Sequence, residues 1–174
     1  ASGYAPISCT VTTEAVFQDF VNDPADHDAY FRDISTFGGC TAGPAAALKN
    51  MEIIERENLL ENCTKMGERL IEGLKGLMDK HPIIGDVRGK GLFAGIEIVK
   101  DRATKEPAAK PIANAMVGAA KQAGVIIGKT SRSFREFNNT LTLCPALIAT
   151  EADIDEIVAG IDKAFTTVEQ KFGL

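Results

Sequence analysis

The sequence has little of what several classes of protein need. Its 174 residues include no tryptophan, two histidines and four cysteines. The cysteines stand far apart, without the CxxC spacing of zinc ribbons and thiol oxidoreductases: Cys9, Cys40, Cys63 and Cys144. So few ligands at such spacings argue against a zinc site. We expect free thiols in a reducing cytoplasm instead.

Clustered positive charge and long apolar runs are also missing. Nineteen lysines and arginines stand against 24 aspartates and glutamates, which gives a net charge of -5. Nucleic-acid interfaces concentrate lysine and arginine against phosphates, so we predict no nucleic-acid partner. The longest apolar stretches, such as GLFAGIEIV at 91–99, are far shorter than the roughly 20 residues that span a bilayer. We therefore predict no membrane segment, and we expect a cytoplasmic protein.

What is present is a series of amphipathic helices separated by glycine, proline and polar residues. Thr12 or Thr13 is a suitable N-cap for a short first helix. Pro44 suits the first turn of an alanine-rich second helix, which we expect to break near Asn58. The third helix has an apolar stripe at spacings of three and four: Leu59, Cys63, Met66, Leu70, Leu74 and Leu77.

The last helix has the clearest start signal. Thr150 is its predicted N-cap, and Asp153 occupies the position of the acidic partner in a capping box. Its apolar face follows the same spacing: Ile154, Ile157, Val158, Ile161, Phe165 and Val168.

Extended segments alternate with these helices. ISCTVT at 7–12 alternates as a strand does, and 83–101 predicts an antiparallel hairpin around Gly89 and Gly91. VIIG at 125–128 predicts a further strand, before a last extended stretch that begins TLTL. A hairpin, a helix, two strands and a helix in this order predict an α/β sandwich with helices on one face of the sheet.

One segment with chemical potential is STFGGCTAGP at 35–44. The hydroxyls of Ser35, Thr36 and Thr41, together with backbone N–H groups at a helix start, could surround a phosphate. A plain helix-capping loop explains the same residues. The residues alone favour the capping loop, because glycine-rich helix starts are common.

A second segment is KTSRSFREFNN at 129–139. Lys129, Arg132 and Arg135 are donors suited to a carboxylate or a sulfonate, because a guanidinium can bind such a group with paired hydrogen bonds. A solvated loop explains the same residues, and the residues alone favour it. His81, which precedes Pro82, is interpreted as a helix-end residue without a catalytic role.

Four stretches together resemble one family. They are SGYAP, TFGGCTAGPAAA, VRGKGLFAGIE and LTLCPALIATEADIDEI, in the order and at the spacing of the class III (omega) aminotransferases. The resemblance implies the C-terminal part of a fold type I enzyme that uses pyridoxal 5'-phosphate. Residues 1–57 would end the large domain and include the connecting helix, and 58–174 would form the small domain. It also implies a homodimer with shared active sites.

The resemblance implies an activity as well. The full enzyme would move an amino group from an omega-amino acid or a taurine-like aminosulfonate to pyruvate. The Schiff-base lysine is expected upstream of Ala1, in an N-terminal segment that this chain lacks, so no catalytic residue is assigned here. A catalytically inactive, stand-alone module that binds a small molecule or a partner is the alternative.

Site residues follow from the same resemblance. Ser35 and Thr36 match a pair whose threonine reaches the phosphate of the cofactor in the neighbouring subunit. Gly128 stands where many members have a mobile arginine that receives the substrate carboxylate. Arg132 or Arg135 is expected to take over the substrate anion.

Overall fold

The computed structural model describes residues 1–21, 25, 35–130 and 139–174. Within them the chain forms two compact units, Ala1–Glu57 and Asn58–Leu174. No helix in the described ranges is both long and apolar enough to cross a membrane.

The first unit contains two helices. Helix α1 spans Glu14–Gln18 and is capped by Thr13, whose hydroxyl accepts a hydrogen bond from the N–H of Val16. Helix α2 spans Ala42–Arg56 and has a proline in its first turn, as predicted. Both helix starts follow from local sequence, because capping depends on residues within one turn.

The N-terminal stretch of this unit differs from its prediction. Residues 7–12 form no strand. A strand needs a neighbour to pair its N–H and C=O groups, and the described residues provide none here. The stretch before it lies along α2 instead: a Cβ on Gly43 would come within 3.0 Å of the Pro6 carbonyl oxygen, and the Ser2 hydroxyl donates to Asn50 Oδ1 at 2.6 Å.

The second unit contains three long helices. Helix α3 spans Leu59–Gly76 and continues into a 3-10 turn, Leu77–Asp79. Its predicted break from α2 is confirmed, since Asn58 adopts the left-handed conformation with φ 52°. Helix α4 spans Lys110–Gln122, and helix α5 spans Glu151–Phe172 with the predicted capping box at its start.

Five antiparallel strands complete this unit. They are β1 Ile84–Lys90, β2 Phe93–Asp101, β3 Glu106–Pro107, β4 Gly128–Lys129 and β5 Thr140–Leu143. The sheet order is β1-β2-β5-β4, and β3 pairs with the end of β2. The predicted hairpin is confirmed as β1 and β2, whose turn contains Gly91 at φ 53°.

The strand predicted at 125–128 is wrong in its bounds. Strand β4 begins only at Gly128, because β5 pairs with Gly128 and Lys129 and with nothing before them. Val125 and Ile127 are nevertheless buried, whereas Ile126 is exposed. The alternating pattern that predicts a strand therefore arises because every second side chain is buried, although β5 does not pair with residues 125–127.

The core lies between one face of the sheet and the three helices, which confirms the predicted α/β arrangement. Every second residue of β5 is buried, and most of the predicted helix stripes are buried too. Fully buried side chains come from both layers: Leu70, Leu74, Ile96, Ile98, Leu141, Ile161 and Phe165. The opposite face is polar near the hairpin, where Arg88 pairs with Asp86 and Glu97.

Candidate functional site

The loop before α2 folds back on itself twice. The Gly38 N–H donates to the Ser35 carbonyl at 2.9 Å, and the Cys40 N–H donates to the Phe37 carbonyl at 3.1 Å. Gly39 has φ 79°, a conformation that glycine adopts without a Cβ penalty. The two turns bring the loop directly into the first turn of a 15-residue helix.

The hydroxyls of this loop are available for an external ligand. Ser35, Thr36 and Thr41 are exposed, and no acceptor or donor within the described part of the chain binds their hydroxyl oxygens. The first turn of α2 contains no acidic residue, and its first N–H groups lack partners within the helix. Thr41 stands at the N-cap of α2, and Ser35 and Thr36 precede it in the same loop. Hydroxyl donors near a helix N-terminus, without a carboxylate among them, are the kind of group that binds a phosphate.

The two candidate arginines, Arg132 and Arg135, lie outside the described residues. Both ends of their segment are hydrogen-bonded: the Thr130 N–H donates to the Thr140 carbonyl at 2.9 Å, and the buried Asn139 amide donates to the Ile98 carbonyl at 2.6 Å. The residues on either side of 131–138 are therefore hydrogen-bonded to the sheet. Lys129, the third candidate donor, binds the carbonyl of Thr130 at 3.0 Å.

A cleft beside β5 does not suit an anionic substrate. It has a volume of about 310 Å³, and Asp153 and Glu156 line it together with Cys144 and Pro145. The backbone N–H and hydroxyl of Thr150 hold the pKa of Asp153 below its usual range, so its carboxylate stays ionised. A sulfonate or carboxylate placed there would meet like charge.

The structure also shows a buried polar cluster that the sequence analysis missed. His81 lies between the carboxylates of Asp162 and Glu169, at 2.7 Å from each. These partners stand 81 and 88 residues further along the chain, so no local pattern joins them. The only sequence signal is their i, i+7 spacing on one side of α5, which becomes informative once α5 is known to pack near residue 81.

A family comparison decides the relationship of the chain. The model described as aminotransferase class III matches residues 1–165. This chain belongs to the class III aminotransferase family. The resemblance inferred from sequence motifs is thereby confirmed, and the α/β fold is part of a fold type I enzyme.

Curated class III relatives are highly similar along the whole chain. A taurine–pyruvate aminotransferase of Bilophila wadsworthia (strain 3_1_6) is 92% identical over 174 residues, which are 100% of this chain and 38% of that protein. A hypotaurine/taurine–pyruvate aminotransferase of Paracoccus denitrificans is 60% identical over 168 residues, 97% of this chain and 37% of that protein. The chain thus spans less than two fifths of the length of these relatives.

A solved aminotransferase structure is similar to this chain in fold. An aminotransferase from Bacillus anthracis is 40% identical and superposes with a TM-score of 0.83, covering 88% of this chain and 34% of that one. The agreement supports the layered arrangement of helices and sheet described above.

Proposed function

We propose that this chain is part of an aminotransferase that moves an amino group from taurine, or a related omega-amino acid, to pyruvate. The observation that carries the proposal is the 92% identity to a taurine–pyruvate aminotransferase over all 174 residues. In this reaction the donor loses its amino group and is released as an aldehyde. The keto carbon of pyruvate receives the amino group, which gives alanine.

We further propose that the cofactor is pyridoxal 5'-phosphate. When bound, it delocalises the electron pair left on the donor carbon after proton loss. Ser35 and Thr36 would donate hydroxyl hydrogen bonds to its phosphate oxygens, which agrees with their exposure, and with their lack of a hydroxyl partner among the described residues, in the loop before α2. The site would lie in the neighbouring subunit of a cytoplasmic homodimer, as the family resemblance implies.

The two units would then have different places in the enzyme. We propose that Ala1–Glu57 completes the large domain and that Asn58–Leu174 is the small domain. The lysine that binds the cofactor would come from the part of such an enzyme that this chain does not span, as the family resemblance implies; the chain covers 38% of its taurine–pyruvate relative. Binding and orientation of ligands, rather than proton transfer, are the proposed roles of this chain.

For the substrate, we propose that Arg132 or Arg135 binds the sulfonate of the donor. A planar guanidinium offers paired donors that match two oxygens of such an anion. Uncharged amines would gain nothing from this contact. The two arginines should therefore affect anionic donors selectively.

A donor panel tests this proposal in the intact protein. Arg132→Ala and Arg135→Ala are compared with Arg56→Ala, which removes an exposed arginine of α2 that pairs with Glu52 and Glu57. One of the first two variants should lower kcat/KM for taurine by roughly 100-fold while sparing a neutral amine, because an unpaired anion is costly in a closed site. Equal losses for both donors would remove the arginine from this role. Failure of the wild type to use any omega-amino donor would overturn the proposed function itself.

A further inference from the structure

No further inference is drawn: the strongest candidate, the groove between α3 and the turn of the β1–β2 hairpin that Leu60, Cys63 and Gly91 line, carries none because nothing in the structure shows what covers it.

Discussion

The two units of this chain differ in how they use apolar residues. In Asn58–Leu174, side chains from the sheet and from every long helix are fully buried, including Leu70, Ile96 and Phe165. In Ala1–Glu57, Gly43 is the only buried residue in the described ranges, and Tyr4 is 93% exposed. The second unit therefore has a core of its own, whereas the described residues of the first unit form almost none.

Because of this difference, we expect the second unit to determine stability and the first unit to contribute to ligand binding. Burial of apolar side chains must offset the conformational entropy lost on folding. The second unit buries such side chains within itself, whereas the described residues of the first unit do not. The first unit carries the loop whose hydroxyls have no partner among the described residues, and we expect other protein surface to cover its apolar side chains in the intact enzyme. Substitutions in the two units should consequently act on different measurements.

The largest effect is expected from the core of the second unit. Phe165→Ala should lower the free energy of unfolding by about 3 to 5 kcal/mol, because it removes a fully buried ring and leaves a cavity. When this chain is unfolded on its own, Phe37→Ala, in the first unit, should change its free energy of unfolding by less than about 0.5 kcal/mol, since that ring is 62% exposed in this chain. Urea unfolding followed by circular dichroism compares the two. Equal losses would show that the first unit shares the core.

A smaller loss should follow from filling the contact between α3 and the hairpin turn. A Cβ at Gly67 would clash with the backbone of Gly91, so Gly67→Ala should lower the free energy of unfolding by about 1 to 3 kcal/mol, because one of the two segments has to move. Gly118→Ala is the control, because nothing lies within 4 Å of its Cβ position in α4, and it should stabilise by up to about 1 kcal/mol. Unfolding midpoints of both variants test this pair, and a neutral Gly67→Ala would contradict the close packing.

A substitution in the loop of the first unit should change cofactor binding and leave stability unchanged. Thr36→Val keeps the shape of the side chain and removes its hydroxyl, so it should weaken binding of pyridoxal 5'-phosphate by roughly tenfold. The free energy of unfolding should stay unchanged, because this hydroxyl has no partner within the described residues. Absorbance titration of the intact protein with the cofactor measures the affinity. An unchanged affinity would remove Thr36 from the proposed phosphate site.

The smallest effect concerns the start of α5. Thr150→Ala removes a capping hydroxyl and should cost about 1 kcal/mol at neutral pH. The pKa of Asp153 is lowered by hydrogen bonds from Thr150, so the cap is fully formed above the usual carboxyl pKa and lost as pH falls through the lowered value. The gap between variant and wild type in urea midpoints should narrow on acidification. A difference in urea midpoints that stays constant with pH would show that the cap does not depend on the charge of Asp153.

Features set by neighbouring residues were predictable from sequence. The cap at Thr13, the break at Asn58 and the hairpin around Gly91 all appear in the structure, because each depends on a few adjacent dihedral angles. Strand formation at 7–12 was wrong and the strand at 125–128 was misplaced, because a strand exists only where a partner is present.

The polar cluster around His81 shows that local sequence does not predict a cluster whose residues are far apart in the chain. The sequence predicts a helix-end residue at His81. Its side chain contacts two carboxylates that the fold brings from the far end of the chain. The proposed phosphate-binding role of Ser35 and Thr36, by contrast, rests on residues that are consecutive in the chain. Its assignment to a cofactor stays a prediction, and Arg132 and Arg135 lie outside the described residues.

The most direct measurement of the central claim is transfer of labelled nitrogen. The intact protein, loaded with pyridoxal 5'-phosphate, is supplied with nitrogen-15 taurine and unlabelled pyruvate, and alanine is analysed by mass spectrometry. We predict labelled alanine in amounts equal to the taurine consumed, because transamination conserves the amino nitrogen. Consumption of pyruvate or taurine without labelled alanine, or no turnover at all, would contradict the proposed function.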